Sequence, residues 1–472
     1  MRDPVIGLEI HLAVATRSKM FCACDADGFG AAPNTHVCPV CLGLPGSLPV
    51  ANAEAIERGL RFVLALGCEV PDRTQFHRKH YFYPDAPKNY QISQYDRPLG
   101  EHGRLQVPGG RTIGVTRCHL EEDAGRLVHP AYAGHSLVDL NRAGAPLIEM
   151  VTEPEITSPE EARAFLMEVR ALARALDVSD ASPEQGKMRA DVNVSLRNDD
   201  GSFGTKVEVK NLNSFKSVEA ALHFEIRRQE RILDDGFEIR LETRGWNEGG
   251  QKTVAQRSKE GAADYRYLPD PDLPEIALSR DRVGRIVAAM PETPAAKRVR
   301  YREAGVRQAE AEAIAYDVAT AALFDAVRER FDGPAQTVAT WLTVELAGLA
   351  RQEDPAAEPT TADPARLAAL LSLVHERTIS HAAAKELLPE VVAGAEPAQL
   401  VEERNLARVS DEDALLDLIR TVMDENPAIV ASAREEPKAI NALLGRVMKA
   451  SGGAADPQAV RRLLTERVQS EG

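Results

Sequence analysis

A chain of 472 residues with 72 acidic and 57 basic side chains, a net charge of −15, is long enough for two or three domains, each with its own core. Six cysteines in that length exclude a disulfide-rich secreted scaffold. The opening MRDPVIGLEIHL has Asp3 and Glu9 in its first ten residues and no long apolar run, so neither a signal peptide nor a membrane span is expected and a cytoplasmic protein is.

The first element is a strand. In VIGLEIHLAV, Ile6, Leu8, Ile10, Leu12 and Val14 share one face, while Glu9 and His11 stand with Gly7 and Ala13 on the other. FCACDADGFGAAPNTHVCPVC then brings Cys22, Cys24, Cys38 and Cys41 as a C-x-C and a C-x-x-C. Both knuckles together, with Gly28, Gly30 and Pro33 between them, favour a four-thiolate zinc site over buried free cysteines. Four sulfur ligands leave no open position for water or substrate, so such a zinc is structural.

The segment FHRKHYFYPDAPKNYQISQYDRPLG interleaves Arg78, Lys79 and Lys88 with Tyr81, Phe82, Tyr83 and Tyr90. Basic and aromatic residues so mixed can hold phosphates and stack on a base, or pack as an ordinary aromatic loop. RCHLEEDAGR supplies three adjacent carboxylates, Glu121, Glu122 and Asp123. Glu149 lies inside the apolar run 147–151, where burial is costly unless the carboxylate is paired or metal-bound. Two further alternating runs follow. In ADVNVSLR, Asp191, Asn193 and Ser195 oppose Val192, Val194 and Leu196; in GTKVEVK, Lys206, Glu208 and Lys210 oppose Thr205, Val207 and Val209.

One polar strand face is an ordinary solvated surface; three in one domain point to a carboxylate-lined sheet. Carboxylates with an imidazole suit magnesium or manganese rather than the thiolate metal. The chain lacks a Walker loop, a Rossmann glycine fingerprint, GxSxG and HExxH, so an ATP site would lie on the sheet face.

From PETPAAKRVRYREAG onward the pattern turns helical, as in YDVATAALFDAVRERF and ARLAALLSLVHER, with a Pro-rich acidic linker at residues 351–365. KAINALLGRVMKA reads as a helix stopped by SGG, and DPQAVRRLLTERV restarts behind Asp456 as N-cap. Charge is uneven here: residues 301–436 hold 26 acidic and 12 basic side chains, residues 437–469 hold 6 basic and 2 acidic, so an RNA partner at the C-terminal end fits an acidic protein. The fold class expected is α+β: a mainly antiparallel cradle over 1–292, a helical domain over 293–404 and a small helical tail domain over 405–472.

VIGLEIHL, HYFYPDAPKNYQISQYDRPLG, HLEEDAGR, SLVDLNRAGAPLIEMVTEPEI, RADVNVSLR, VEVKNLNSFKSVEAAL and DYRYLPDPDLPE, spread over residues 5–276, together resemble the B subunit of the tRNA-dependent amidotransferases. NALLGRVMKASGGAADPQAVRRLL is similar to that family's tRNA-binding tail, and no inserted domain of the related archaeal E subunit is evident. The resemblance implies a glutamine-synthetase-like cradle. It also implies a heterotrimer with an amidase A subunit and a small C subunit, and use of ATP and magnesium to activate the side-chain carboxylate of Asp-tRNA(Asn) or Glu-tRNA(Gln) for amidation by ammonia. His11, Glu9 and Glu122 match the family's magnesium positions most closely, with Glu149 and Glu208 as further ligands. Lys79, Arg189 and Lys210 are candidates for phosphate or carboxylate contacts, and Arg78, Lys79 and Lys88 for the nucleotide. The alternative is a zinc-containing tRNA adaptor without catalysis, which would not require polar strand faces; a zinc hydrolase is opposed by the fourth cysteine.

Overall fold

The alternation in VIGLEIHLAV is realised as a ten-residue strand at the centre of the largest sheet. The computed structural model describes residues 2–130, 134–256, 265–353, 362–407, 412–435, 437–451 and 455–470. The large sheet contains Pro4–Ala13 (β1), Gly100–Gln106 (β2), Thr112–Glu122 (β3), Pro146–Thr152 (β4), Met188–Leu196 (β5), Val207–Lys210 (β6), Glu242–Asn247 (β7) and Lys252–Ala255 (β8). Their order is β8-β7-β6-β5-β1-β4-β3-β2, antiparallel throughout except for the parallel pair β6–β7. The α+β class is thus observed, with a mixed but mainly antiparallel sheet.

Ile6, Leu8, Ile10 and Leu12 of β1 are buried in one core with Val192, Val194 and Leu196 of β5 and Val207 and Val209 of β6. Three helices close that face: Ala53–Ala65 (α1), Pro159–Ala175 (α2) and Phe215–Asp234 (α3). They contribute Leu60 and Phe62, Phe165 and Leu166, and Val218 and Leu222 to the same core. Each starts on a side-chain cap, Asn52, Ser158 and Ser214, which accepts from backbone N–H groups of the first turn. Because the helices take the apolar face, the odd-numbered polar side chains of β1 lie on the opposite one.

Thr205 differs from expectation. It is exposed and outside β6, because pairing with β5 begins at Val207 opposite Val194. The preceding residues instead form a turn in which the Gly204 N–H donates to the Leu196 carbonyl. A second small sheet joins His77–His80, Tyr90–Ser93 and Leu268–Pro269. It docks on the end of β3: Gln94 accepts from the Leu120 N–H, and the Gln91 side chain donates to the Glu122 carbonyl.

Packing divides the chain into Met1–Ala296 and Lys297–Gly472. The second unit is helical and holds two cores, one running from Tyr301 to Val401 and the other from Leu415 to Val468. Residues 354–361 of the expected linker and 452–454 of the expected SGG stop lie outside the described residues. Asp456 caps the last helix, Pro457–Ser470, accepting from the N–H groups of Gln458 and Ala459. Among the described residues no helix is long and apolar enough to cross a membrane.

One buried ion cluster ties α3 to the sheet. Glu225, wholly buried, accepts from Arg228, Gln229 and Thr253, with Arg244 at 3.6 Å. Removing one partner of such a cluster strands the others without compensation. Glu225→Ala should therefore lower stability by about 3–5 kcal/mol, read as a shifted urea midpoint of the full chain; an unshifted midpoint would show that the cluster contributes nothing net.

Candidate functional site

Strand register builds the site. His11 of β1 stands opposite Arg189 of β5 on one side and Glu149 of β4 on the other; Glu149 in turn pairs with His119 of β3, and Glu9 with Asp191. Glu121, two residues beyond His119, shares their face. The His11 Nε2 lies 3.4 Å from Glu121, 3.6 Å from Glu149 and 3.9 Å from Glu9. The His119 Nε2 lies 3.4 Å from Glu149 and 3.8 Å from Glu121. Donor atoms of Glu9, His11 and Glu149, and of His119, Glu121 and Glu149, fall within 4.8 Å of one another, so Glu149 belongs to both groups.

Burial alone would discharge these groups, but they charge one another. Burial works against the imidazolium of His11, yet its contacts with Glu121 and Glu149 outweigh it and hold the pKa up at about 10. His119 behaves alike: burial is outweighed by Glu149 and Glu121, which raise it to about 9. In return, the burial that would raise Glu121 is overcome by hydrogen bonds from His11 and His119, leaving it at about 2. Glu149 is held well below the usual carboxylate range by the same two imidazoles against its own burial. Glu9 moves the other way, pushed up by burial and by the charge of Glu149.

The remaining sequence candidates divide. Lys79 joins the site: its pKa is raised because Glu121, Tyr267 and Glu149 outweigh its burial, and its ammonium lies 4.9 Å from the Tyr265 ring centroid. Arg189 flanks it, bound to Asp123 at 2.8 Å. Lys210 bridges Asp191 at 2.7 Å and Glu208 at 3.1 Å, so Glu208, which also accepts from Thr243, stands one strand beyond the group around His11.

Glu122 is not brought to the His11 group. Its side chain has the opposite parity to Glu121, accepts from the Ile92 N–H at 2.9 Å and is ion-paired with Lys88. Lys88 is thereby committed, and so is Arg78, which binds Asp270 at 2.8 Å and Asp272 at 2.9 Å. His119 and Glu121 are the functional side chains the sequence reading passes over. Arg117, His119 and Glu121 alternate with the buried Cys118 and Leu120, which is the signal that selects Glu121 from the three adjacent acids.

The four cysteines converge as one group with sulfurs within 4.8 Å of one another. The Cys38 and Cys41 sulfurs are 3.9 Å apart, close to the roughly 3.8 Å separation of tetrahedral ligands about 2.3 Å from zinc. Cys41 behaves as the thiolate of the set: the hydrogen bond from Cys22, with the Cys38 N–H and Lys19, brings it down to about 4. Burial and Cys38 push Cys24 up to about 11. The donor set fits zinc.

Comparison with known proteins agrees with this geometry. Residues 4–284 match the family described as the GatB/GatE catalytic domain, and residues 322–468 match the GatB domain. The chain is similar to the B subunit of the aspartyl/glutamyl-tRNA(Asn/Gln) amidotransferase of Deinococcus radiodurans, 52% identical over 98% of each chain. It is 51% identical to that of Thermus thermophilus over 99% of each chain. The counterpart in Brevibacillus brevis is 44% identical, again over 99% of each.

The charge pairing predicts a pH window for the metal-free polar face. His11 and His119 are raised from an ordinary 6.5, so their contribution to stability is full below pH 6.5 and is lost as pH climbs through 9 to 10. Glu121 is lowered from 4.5, so its share is present above pH 4.5 and is lost as pH falls toward 2. Without added magnesium, the urea midpoint should therefore drop between about pH 6 and about pH 9.5, and a His11→Gln/His119→Gln double variant should show a shallower drop. Identical alkaline limbs would mean that these imidazoles are not charged partners of the glutamates.

Proposed function

The chain belongs to the B-subunit family of the aspartyl/glutamyl-tRNA(Asn/Gln) amidotransferases, and from that membership we propose that its polar sheet face activates the side-chain carboxylate of Asp-tRNA(Asn), Glu-tRNA(Gln) or both. The γ-phosphoryl group of ATP passes to a carboxylate oxygen with release of ADP. Ammonia from a partner glutaminase then attacks the acyl phosphate, and phosphate leaves as the amide forms. A carboxylate needs this activation because it is a poor acyl donor, and the transfer depends mainly on positioning and charge neutralisation.

The observation that carries the reading is the pair of donor groups sharing Glu149, on the sheet face opposite the helices and flanked by Lys79 and Arg189. Glu9, His11, Glu121, Glu149 and His119 would hold magnesium. That Glu9 is pushed up beside Glu149 marks a face short of positive charge, the condition a divalent cation relieves. Magnesium, when bound, bridges and neutralises the phosphate oxygens. Lys79 stands where it can orient a phosphate or the substrate carboxylate, and Arg189 and Lys210 extend the positive rim. A tRNA adaptor without catalysis leaves the buried acid–imidazole face unexplained. The four cysteines would take a structural zinc.

By the names of its relatives the protein works with other subunits, which we take to be the amidase A subunit and the small C subunit, on misacylated tRNA in the cytoplasm. The segment 405–472, with its basic end, is proposed as the tRNA-binding tail domain.

Glu121→Gln or Glu149→Gln in the reconstituted complex should lower ATP-dependent phosphorylation of the aminoacyl carboxylate by on the order of 10²-fold or more, while tRNA affinity and basal glutamine hydrolysis persist. Amidated tRNA formed at the normal rate by both variants would place the chemistry elsewhere. Removing residues 405–472 should weaken tRNA binding and flatten its salt dependence, since fewer counterions are released; an unchanged affinity and slope would contradict the tail's role.

A further inference from the structure

We infer that Lys19 is the internal counter-ion of the four-cysteine centre, positioning Cys41 and offsetting the negative charge of the thiolate set so that the metal is retained. The inference rests on the zinc reading above. Lys19 has no solvent exposure at all. Its ammonium nitrogen lies 2.7 Å from the His36 carbonyl, 3.4 Å from the Leu140 carbonyl and 3.8 Å from the Cys41 sulfur. An ammonium has three donors and no acceptor, and here each donor has one acceptor.

Charge balance singles out the sulfur. A unit charge cut off from water is costly unless an anion faces it, and two neutral carbonyls do not supply one. Among the described residues, the acceptor at this nitrogen able to carry negative charge is Cys41. Four thiolates around a divalent zinc carry a net charge of about −2, and one buried ammonium halves it. The need runs both ways: the lysine requires the thiolate, and the crowded thiolates require the lysine.

The contacts also explain what the lysine positions. His36 belongs to the cysteine loop, while Leu140 belongs to the segment leading into β4. A Cβ placed on Gly144 would lie 3.5 Å from the Lys19 stem, 3.6 Å from the Cys41 Cβ and 3.8 Å from a Glu122 carboxylate oxygen. Lys19 therefore joins the metal loop to the chain just before the strand that carries Glu149. Partners of this outer kind typically change metal affinity by about 10–100-fold when removed.

The test follows zinc transfer from the zinc-loaded full-length chain to the chromogenic chelator 4-(2-pyridylazo)resorcinol. Lys19→Met keeps the stem and removes the charge; Lys19→Gln keeps hydrogen-bond donors and removes the charge. Both should release zinc about 10–100-fold faster than the native chain. Unchanged release from either folded variant overturns the counter-ion role while leaving the zinc reading intact, whereas a native chain that carries no zinc overturns both. Should the variants not fold, acetic anhydride labelling of the native chain, mapped by mass spectrometry, decides the matter: Lys19 should be protected with zinc bound and modified once zinc is stripped. Equal protection in the two states overturns the inference.

Discussion

The mutual charging of His11, His119, Glu121 and Glu149 is the interaction on which the rest of the first unit depends. None of the four is tolerable alone at its depth, since burial disfavours every one of their charged forms. Together they form a compact set of two cations and two anions, with Glu9 beside it as a carboxylate lacking its share of positive charge. That imbalance is why the face reads as a cation-binding surface and not as a closed salt-bridge cluster like the one around Glu225, whose charge Arg228 and Arg244 already meet.

The sheet makes the arrangement rigid. β1 lies between β5 and β4, so one strand delivers Glu9 and His11 to groups on both neighbours, and the helices α1, α2 and α3 fix its pitch from the apolar side. Loops then add what strands cannot. The small sheet carries Lys79 to the glutamates, and its own position is set by Gln91, Ile92 and Gln94 gripping the end of β3. The cysteine loop abuts the same region, since a Cβ on Gly43 would collide with Lys88, the partner of Glu122. The metal loop and the polar face are thus built against one another.

Much of this is legible in the sequence. Period-two alternation is a local property, so the core face of β1 and the positions of Glu9 and His11 follow directly from VIGLEIHLAV, and the cysteine knuckles announce their own convergence. Glu149 stands out because an acid in an apolar strand demands a partner. What stays hidden depends on long-range pairing. Arg78 meets Asp270 across 192 residues, and Lys88 meets Glu122 across 34, so two basic residues that look available for nucleotide are already engaged. Among Glu121, Glu122 and Asp123, composition alone cannot say which faces His11. Strand parity does, through His119 and Glu121 alternating with Cys118 and Leu120. Lys19 gives no signal in sequence because its acceptors are two carbonyls and one sulfur brought together only by the fold.

The central claim, that this acid–imidazole face holds a divalent cation for phosphoryl transfer, is tested most directly by manganese(II) as a spectroscopic stand-in for magnesium. Titrated into the purified full-length chain with ATP present and followed by electron paramagnetic resonance, manganese should be taken up by the native protein. It should bind far more weakly to Glu149→Gln, which alters the one carboxylate common to both donor groups. Equal manganese binding by the two proteins would contradict the account, because the cation would then be held by groups other than those gathered around Glu149.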